Sequence, residues 1–177
     1  GVACYRHRCL PLHDWLPLMV QMRQWQHWRH CFSRIIANSH SVQQQMTAAG
    51  IDTDGVIECG VPVRPMRSPL TSVPKVAFAG RLVREKGVDV LVRAFAQVLQ
   101  TVPKARLLIA GDGPERDRIY TLLHQLNLSN QVELLGHLPQ AQMEHRFQQA
   151  WVQAVPSRWA EPFGMVAAEA MMRGTAV

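Results

Sequence analysis

The sequence predicts an α/β fold built on an open parallel sheet. Over residues 75–177, four short apolar segments alternate with segments of helical spacing, and each apolar segment ends at a glycine or a proline. Because these segments are largely apolar, we expect strands that are buried on both faces. Such an arrangement is typical of a sheet covered by helices, and right-handed crossovers bring all the strand ends to one edge.

The predicted strands are residues 75–79, 106–110, 131–135 and 151–155. A helix is predicted after each strand: through residues 90–99, over 114–126, after Pro139 and from near Phe163. In the first helix, apolar spacing predicts one buried face, formed by Val90, Leu91, Ala94, Phe95, Val98 and Leu99. Residues 175–177 resemble the start of a fifth strand, so we expect the domain to continue beyond Val177.

Residues 1–62 have a different pattern, which predicts part of another domain. The Trp- and His-rich segment from Trp15 to Trp28 is predicted to be helical, and the apolar runs 34–37 and 55–59 are predicted strands. Between these runs, Ser39 supplies an N-cap for a helix that ends at Gly50.

The prolines between Val61 and Pro74 predict an interdomain linker. The predicted organisation is 1–62 as the end of one domain, 63–74 as the linker and 75–177 as part of a second domain. Since the chain opens at Gly1 without an initiator Met, and residues 175–177 only begin a strand, we expect it to be truncated at both ends.

Composition excludes several classes of protein. Apolar residues make up 47% of the 177 residues and charged residues 18%, which favours a packed core over disorder. The net charge of +6 is spread over scattered arginines without an aromatic-interleaved basic run, so no nucleic-acid partner is predicted. There is no apolar stretch long enough to span a membrane and no signal peptide at Gly1, and the predicted location is cytoplasmic.

A cluster of possible metal ligands occurs near the start of the chain, at Cys4, His7, Cys9 and His13. Their spacing lacks the paired C-x2-C and H-x3-5-H steps of zinc modules. We therefore predict no metal site and ordinary reduced cysteines.

The loop after the first predicted strand has the residues that a diphosphate requires. It contains Gly80 and Gly87, which let the backbone approach a ligand closely, and the cations Arg81 and Lys86. A planar arginine fork and a lysine point charge suit phosphate oxygens. The alternative is an ordinary solvated loop, since Arg84 and Glu85 occur in the same turn.

The loop after the fourth predicted strand contains two carboxylates, Glu161 and Glu169. Pro162 moves Glu161 out of helical geometry, and Gly164 opens a helix whose N–H groups face the same edge. Carboxylates accept hydrogen bonds from sugar hydroxyls, and Glu161 is placed to stabilise positive charge at a sugar carbon. The alternative gives Glu161 a helix-dipole role and leaves Glu169 as surface charge.

A dinucleotide cofactor is disfavoured. Gly111-Asp112-Gly113 begins a G-x-G-x-x-G pattern, but Arg116 occupies the position of the third glycine. The following strand also lacks an acidic residue at its end, where a ligand for the ribose would be expected. We therefore predict no NAD or other cofactor.

Taken together, these segments resemble glycosyltransferase family 4, which has the two-domain GT-B fold. The matching segments are Gly80-Arg81-Leu82 with Lys86-Gly87, Gly111-Asp112-Gly113-Pro114, Leu135-Gly136, and Pro156-Ser157 with Glu161-Pro162-Phe163-Gly164 and Glu169-Ala170-Met171. The last set has the E-x7-E spacing of that family. Upstream, Ala37-Asn38-Ser39 and Gly60-Val61 resemble the end of its acceptor domain, although Cys59 stands where the family has Asn.

The resemblance implies a Rossmann-like donor domain and retaining, metal-independent sugar transfer from a UDP- or GDP-linked donor. It implies that Gly80, Arg81 and Lys86 hold the diphosphate, and that Glu161, Phe163, Gly164 and Met165 position the donor sugar. It assigns the ribose to Glu169 and the base to His137 and Leu138. The glycine-rich loop and the histidine of the family's acceptor domain have no match in these residues, so we expect the chain alone to be inactive.

Two other functions stay open at this point. One is a non-catalytic module that binds nucleotide sugars, and the other, less compatible with the Glu-Pro-Phe-Gly loop, is a UDP-sugar epimerase. The acceptor is expected to be a glycan, a lipid or a small molecule. The Trp15–Trp28 segment allows peripheral contact with the inner face of a membrane, but a helix buried between domains is favoured.

Overall fold

The computed structural model describes residues 12–63, 67, 69–70 and 73–177. Cys4, His7, Cys9, the side chain of His13 and part of the predicted linker lie outside the described residues. The chain divides into two compact units between Ile57 and Glu58.

The first unit contains a long helix and a small parallel strand pair. Helix α1 spans Leu12–Trp28, so it begins before Trp15, the predicted start. It includes Pro17. Strands β1 (Ile36–Ala37) and β2 (Gly55–Val56) pair in parallel, with helix α2 (His40–Ala48) between them in the chain. The predicted N-cap is confirmed, since the Ser39 hydroxyl accepts a hydrogen bond from the Val42 amide at 3.1 Å.

The second unit is a parallel sheet with helices between successive strands. Its strands are β3 (Lys75–Ala79), β4 (Arg106–Ala110), β5 (Val132–Gly136) and β6 (Val152–Gln153). Its helices are α3 (Val88–Thr101), α4 (Arg116–Gln125), α5 (Gln140–Phe147) and α6 (Met165–Met172). The strand order is β5-β4-β3-β6, and all these pairs are parallel. The start of a further strand is visible, because Ala176 forms a parallel bridge with Val152.

The sheet separates two groups of buried side chains, as expected for strands covered on both faces. Along β4, Leu107 and Ile109 belong to one core cluster, while Leu108 and Ala110 belong to the other. This alternation follows from the two-residue period of a strand. The first cluster includes residues of α3 and α4, and the second includes Phe147 at the end of α5.

The predicted buried face of α3 is wrong in part. Its buried residues are Val88, Leu91, Val92 and Phe95, whereas Val90 and Val98 are 45% and 41% exposed. Ala94 is also exposed. Two adjacent stripes of this helix have apolar residues at helical spacing, and only packing against the sheet selects the one that is buried.

Among the described residues, no helix is both long enough and apolar enough to cross a bilayer.

Candidate functional site

The strand order places the loop after β3 beside the loop after β6. Strands β4 and β5 lie on one side of β3, and β6 lies on its other side. The chain therefore leaves the carboxyl ends of β3 and β6 in opposite directions. In open parallel sheets this topological switch point is where ligands bind. The two loops that meet here are those predicted to bind the diphosphate and the sugar.

Main-chain hydrogen bonds join the four loops at this edge. The Gly111 amide donates to the Gly136 carbonyl at 2.7 Å, and the Leu82 amide donates to the Asp112 carbonyl at 2.9 Å. On the other side, the Arg158 amide donates to the Glu85 carbonyl at 2.7 Å. The four loops thus form one continuous hydrogen-bonded edge.

Two glycines are required by how closely these loops approach one another. A Cβ atom on Gly111 would lie 1.8 Å from the carbonyl oxygen of Gly80, and one on Gly87 would lie 2.1 Å from that of Pro156. Both distances are far inside van der Waals contact with backbone atoms. Gly87 also has a φ of +65°, which disfavours any side chain. These glycines fix the spacing between loops.

At the switch point, Lys86 and Glu161 form an ion pair. The Lys86 Nζ lies 2.5 Å from the Glu161 Oε1, and the Ser157 hydroxyl donates to the same oxygen at 2.5 Å. The Lys86 Nζ also lies 5.6 Å from the centroid of the Trp159 ring, within cation–π range. The side chains of Lys86 and Glu161 are 22% and 23% exposed, so the pair stays within reach of solvent.

These contacts keep Glu161 ionised. Burial alone would raise the pKa of its carboxyl, but hydrogen bonds from Lys86 and Ser157 and the Lys86 charge hold the pKa below its ordinary value. A carboxylate with a lowered pKa is a poor general acid at neutral pH. It is suited instead to accepting hydrogen bonds and to stabilising positive charge.

A second ion pair connects the same loop to the start of α3. The Arg158 Nη2 lies 2.8 Å from the Asp89 Oδ2. Partial burial would raise the pKa of the Asp89 carboxyl, but the hydrogen bond and charge of Arg158 hold it below its ordinary value. The loop after β6 is therefore fixed to the β3–α3 connection at two charged points.

Beside the Lys86–Glu161 pair lies an open cleft of about 380 Å³, at the carboxyl edge of β3, β4 and β5. Its lining includes Gly80, Arg81, His137 and Leu138, four residues that the sequence assigned to the diphosphate and the base. The structure brings them together although they come from two separate loops. Lys86 is close by, since a Cβ atom on Gly80 would lie 4.0 Å from the Lys86 Cδ.

The other predicted site residues lie at the beginning and middle of α6. Gly164 is the N-cap of this helix with a φ of +84°, Phe163 precedes it and Met165 is the first helical residue. Glu169 is half-buried and lies one turn after Val166, which lines the cleft. Residues three apart share a helix face, so Glu169 lies on the same face of α6 as Val166. The ligand contacts of these four residues stay predictions.

Sequence reasoning missed the residues that hold Glu161 and the loop around it. Ser157 and Trp159 contact the Glu161–Lys86 pair, and Arg158 pairs with Asp89. Ser157 lies four residues before Glu161 in a loop already singled out, which is a usable signal. The Arg158–Asp89 pair has no sequence signal, because only the fold brings its partners together.

Among the described residues, no group of three or more His, Cys, Asp or Glu side chains is arranged to hold a metal ion.

Comparisons with known proteins show the family of this chain. The family model described as "Glycosyl transferases group 1" matches residues 67–177. An uncharacterised glycosyltransferase of Methanocaldococcus jannaschii is 39% identical over 102 residues, which is 58% of this chain and 26% of that protein. A D-inositol 3-phosphate glycosyltransferase of Corynebacterium aurimucosum is 37% identical over 108 residues, which is 58% of this chain and 25% of that protein. The chain thus spans about a quarter of the length of these curated relatives.

Solved structures have the same fold. The structure of Anabaena HepE in complex with UDP-glucose has a TM-score of 0.71 and 27% identity, and the match covers 81% of this chain and 43% of that one. TarM of S. aureus has a TM-score of 0.72 at 18% identity, over 82% of this chain and 29% of that one, a likeness of fold alone. The predicted α/β fold with a parallel, GT-B-type sheet is confirmed. Since the family model covers more than half of its residues, the chain belongs to the glycosyl transferases group 1 family.

Proposed function

We propose that the protein containing this chain is a retaining, metal-independent glycosyltransferase of family 4. It transfers a sugar from a UDP- or GDP-linked donor to a glycan, lipid or small-molecule acceptor. The observation that carries the proposal is the pairing of Lys86 with Glu161 at the switch point of the sheet, beside the cleft that Arg81 lines. The similarity to a structure that contains UDP-glucose supports a nucleotide-sugar donor.

In this proposal, Arg81 and Lys86 bind the diphosphate of the donor. Both are cations at the edge of the sheet, and Gly80 between β3 and Arg81 leaves room for phosphate oxygens. As the glycosidic bond breaks, negative charge develops on the departing diphosphate. Fixed cations stabilise that charge without having to reorganise, which lowers the barrier to transfer.

Glu161 acts on the sugar side of the breaking bond. Its carboxylate is ionised, and it lies beside the lysine that would bind the leaving group. It would accept hydrogen bonds from sugar hydroxyls and stabilise the positive charge that develops at the sugar carbon. Backbone groups of Phe163, Gly164 and Met165 would complete the sugar site, and attack from the front face would retain the configuration.

The nucleoside would occupy the rest of the cleft. His137 and Leu138 line it on the side of β5, where backbone atoms can border the base. Glu169, on the same face of α6 as Val166, would accept hydrogen bonds from the ribose hydroxyls. Each charge-assisted contact of this kind contributes about 1.5–3 kcal/mol.

We place the protein in the cytoplasm, with peripheral contact at the inner membrane face where the acceptor is a lipid. Leu16, Val20 and Trp28 are exposed along α1, within the described part of the chain. Because the chain spans about a quarter of its curated relatives, transfer is expected from the complete protein and not from these residues alone.

Donor binding is tested by calorimetry of the complete protein with UDP, GDP, UDP-glucose and a GDP-linked sugar. We expect one nucleotide series to bind, and Arg81→Ala to weaken that binding by at least about tenfold, the loss of one charge-assisted contact. Arg93→Ala, at an exposed arginine of α3, is the matched control. Equal binding by wild type and Arg81→Ala would contradict the proposed diphosphate site.

Transfer itself is tested with the donor that binds. NMR of the product should show the anomeric configuration of the donor retained, and EDTA should leave the rate unchanged. Glu161→Ala should abolish both transfer and donor hydrolysis. A wild-type protein that binds the donor but neither transfers nor hydrolyses it would be a non-catalytic binding module instead.

A further inference from the structure

A buried arginine follows the last residue of α6. Arg173 is 4% exposed, and its guanidinium donates to both carboxylate oxygens of Glu144 on α5, from Nε at 2.7 Å and from Nη2 at 3.0 Å. This is the bidentate geometry that arginine forms with a carboxylate. The guanidinium carbon also lies 5.9 Å from the centroid of the Phe147 ring. The C-terminal end of α6 is thereby fixed to α5.

The same guanidinium makes a third contact, which leads back to the other end of α6. The Arg173 Nη1 donates to the Oε1 of Gln153 at 3.0 Å, and Gln153 is 1% exposed in β6. The Nε2 of Gln153 in turn donates to the carbonyl oxygen of Val166 at 3.1 Å. Val166 belongs to the first turn of α6, and its side chain lines the cleft.

Helix α6 has no local stabilisation from side chains at its N-terminus. It has eight residues, its N-cap Gly164 has no side chain to cap it, and its first turn has no acidic residue. A helix this short is unstable in isolation, so tertiary contacts must hold it. The chain Glu144–Arg173–Gln153–Val166 attaches both ends of the helix, which fixes its rotation and its position along the sheet.

We infer that Arg173, acting through Gln153, is a positioning residue for donor binding. It holds the first turn of α6 at the cleft and, with it, the face that presents Glu169. The inference rests on the proposed function, because the ligand positioned against α6 is the nucleotide of the donor. A displacement of about 1 Å in such a site can cost as much as a hundredfold in rate, so a fixed helix has a direct effect on function.

Two variants separate positioning from general stability. Arg173→Lys keeps the charge but loses the planar fork that reaches Glu144 and Gln153 together. Gln153→Glu keeps an acceptor for Arg173 but loses the amide donor to Val166. Arg146→Met is the matched control, since Arg146 lies on the same helix as Glu144 and forms a surface pair with Glu133 at 2.6 Å.

The first measurement is calorimetry of the complete protein with UDP and GDP, at a temperature where each variant is folded by circular dichroism. We expect Arg173→Lys and Gln153→Glu each to weaken nucleotide binding by about tenfold, and the double variant to be no weaker than either alone, because the residues act in series. Arg146→Met should bind as wild type does. A lowered Tm with unchanged nucleotide affinity would overturn the inference.

Hydrogen exchange of the same variants gives a readout that needs no nucleotide. In Arg173→Lys, we expect faster exchange in residues 165–169, at the end of α6 remote from the substitution. Unchanged exchange there would overturn the positioning role even if the protein binds neither nucleotide. Failure of the wild type to bind either nucleotide would instead refute the proposed function, with the exchange result still deciding the attachment of α6.

Discussion

Two ion-paired networks in the second unit differ in how deeply they are buried. The Lys86–Glu161 pair is 22% and 23% exposed and lies beside the cleft, whereas Arg173 and Glu144 are 4% and 17% exposed beneath α6. A partly exposed pair can exchange its partners for water or for a ligand. The Arg173 guanidinium cannot, because it is almost fully buried and separating it from its partners would leave its charge uncompensated. The two networks therefore differ in how easily their cation can change partners.

Breaking the buried network should have the largest effect. We expect Arg173→Met to lower the free energy of unfolding by about 3 kcal/mol, because the hydrogen bonds that its buried guanidinium donates to Glu144 and Gln153 are lost. Arg146→Met, which breaks the exposed pair with Glu133, should cost less than about 1 kcal/mol. Urea denaturation of both variants checks this difference. Equal losses would show that burial does not distinguish the Arg173 contacts from the Arg146–Glu133 pair.

At the Lys86–Glu161 pair, we expect a substitution that strengthens nucleotide binding. UDP lacks the sugar that Glu161 would hold, so the carboxylate only repels the diphosphate and competes for Lys86. Glu161→Gln should therefore tighten UDP binding by roughly 1 kcal/mol, about fivefold, while sugar transfer falls.

Lys86→Met should weaken UDP binding. Arg84→Met, at an exposed position of the same turn, should leave UDP affinity unchanged. Calorimetry with UDP gives all three values. Weaker UDP binding in Glu161→Gln would mean that the Lys86–Glu161 pair assists nucleotide binding and does not compete with it.

The smallest effect we expect is a dependence of stability on pH. The pKa values of Glu161 and Asp89 are lowered in the folded state, since Lys86 and Arg158 favour the ionised carboxylates over the opposing effect of burial. Their contribution is fully present above the unfolded carboxyl pKa values of about 4 and is lost as the pH falls through the lower folded values.

Urea denaturation between about pH 6 and pH 3 measures this loss. Glu161→Gln combined with Asp89→Asn should make the decrease in stability less steep. An unchanged slope would indicate that other carboxylates determine the acid stability of the domain.

The sequence was informative wherever one segment contained the whole signal. Strands β3, β4 and β5 end at or just before glycines, the Ser39 cap precedes its helix, and the loops after β3 and β6 are singled out because strand ends meet at one edge. Arg81 and His137 do reach one cleft, as that reasoning expected. Local pattern and topology rules were sufficient for these features.

Interactions that depend on packing could not be predicted. The choice between two apolar stripes on α3 needed the sheet, and Val90 and Val98 were assigned to the wrong side. The Arg173–Glu144–Gln153 network joins residues from two helices and a strand, and none of the three has a distinctive sequence setting. A pattern read along one segment contains no information on such partners.

The strand order also determines when the site can form during synthesis. Lys86 and Glu161 are 75 residues apart, and they meet only after β6 has added to β3 on the side away from β4. Contacts between residues so distant in sequence form late and slowly. A nascent chain that has completed β3, β4 and β5 would already have much of its core but no ion pair at the switch point. Under the proposed function, nucleotide affinity should therefore appear only after Glu161 has left the ribosome.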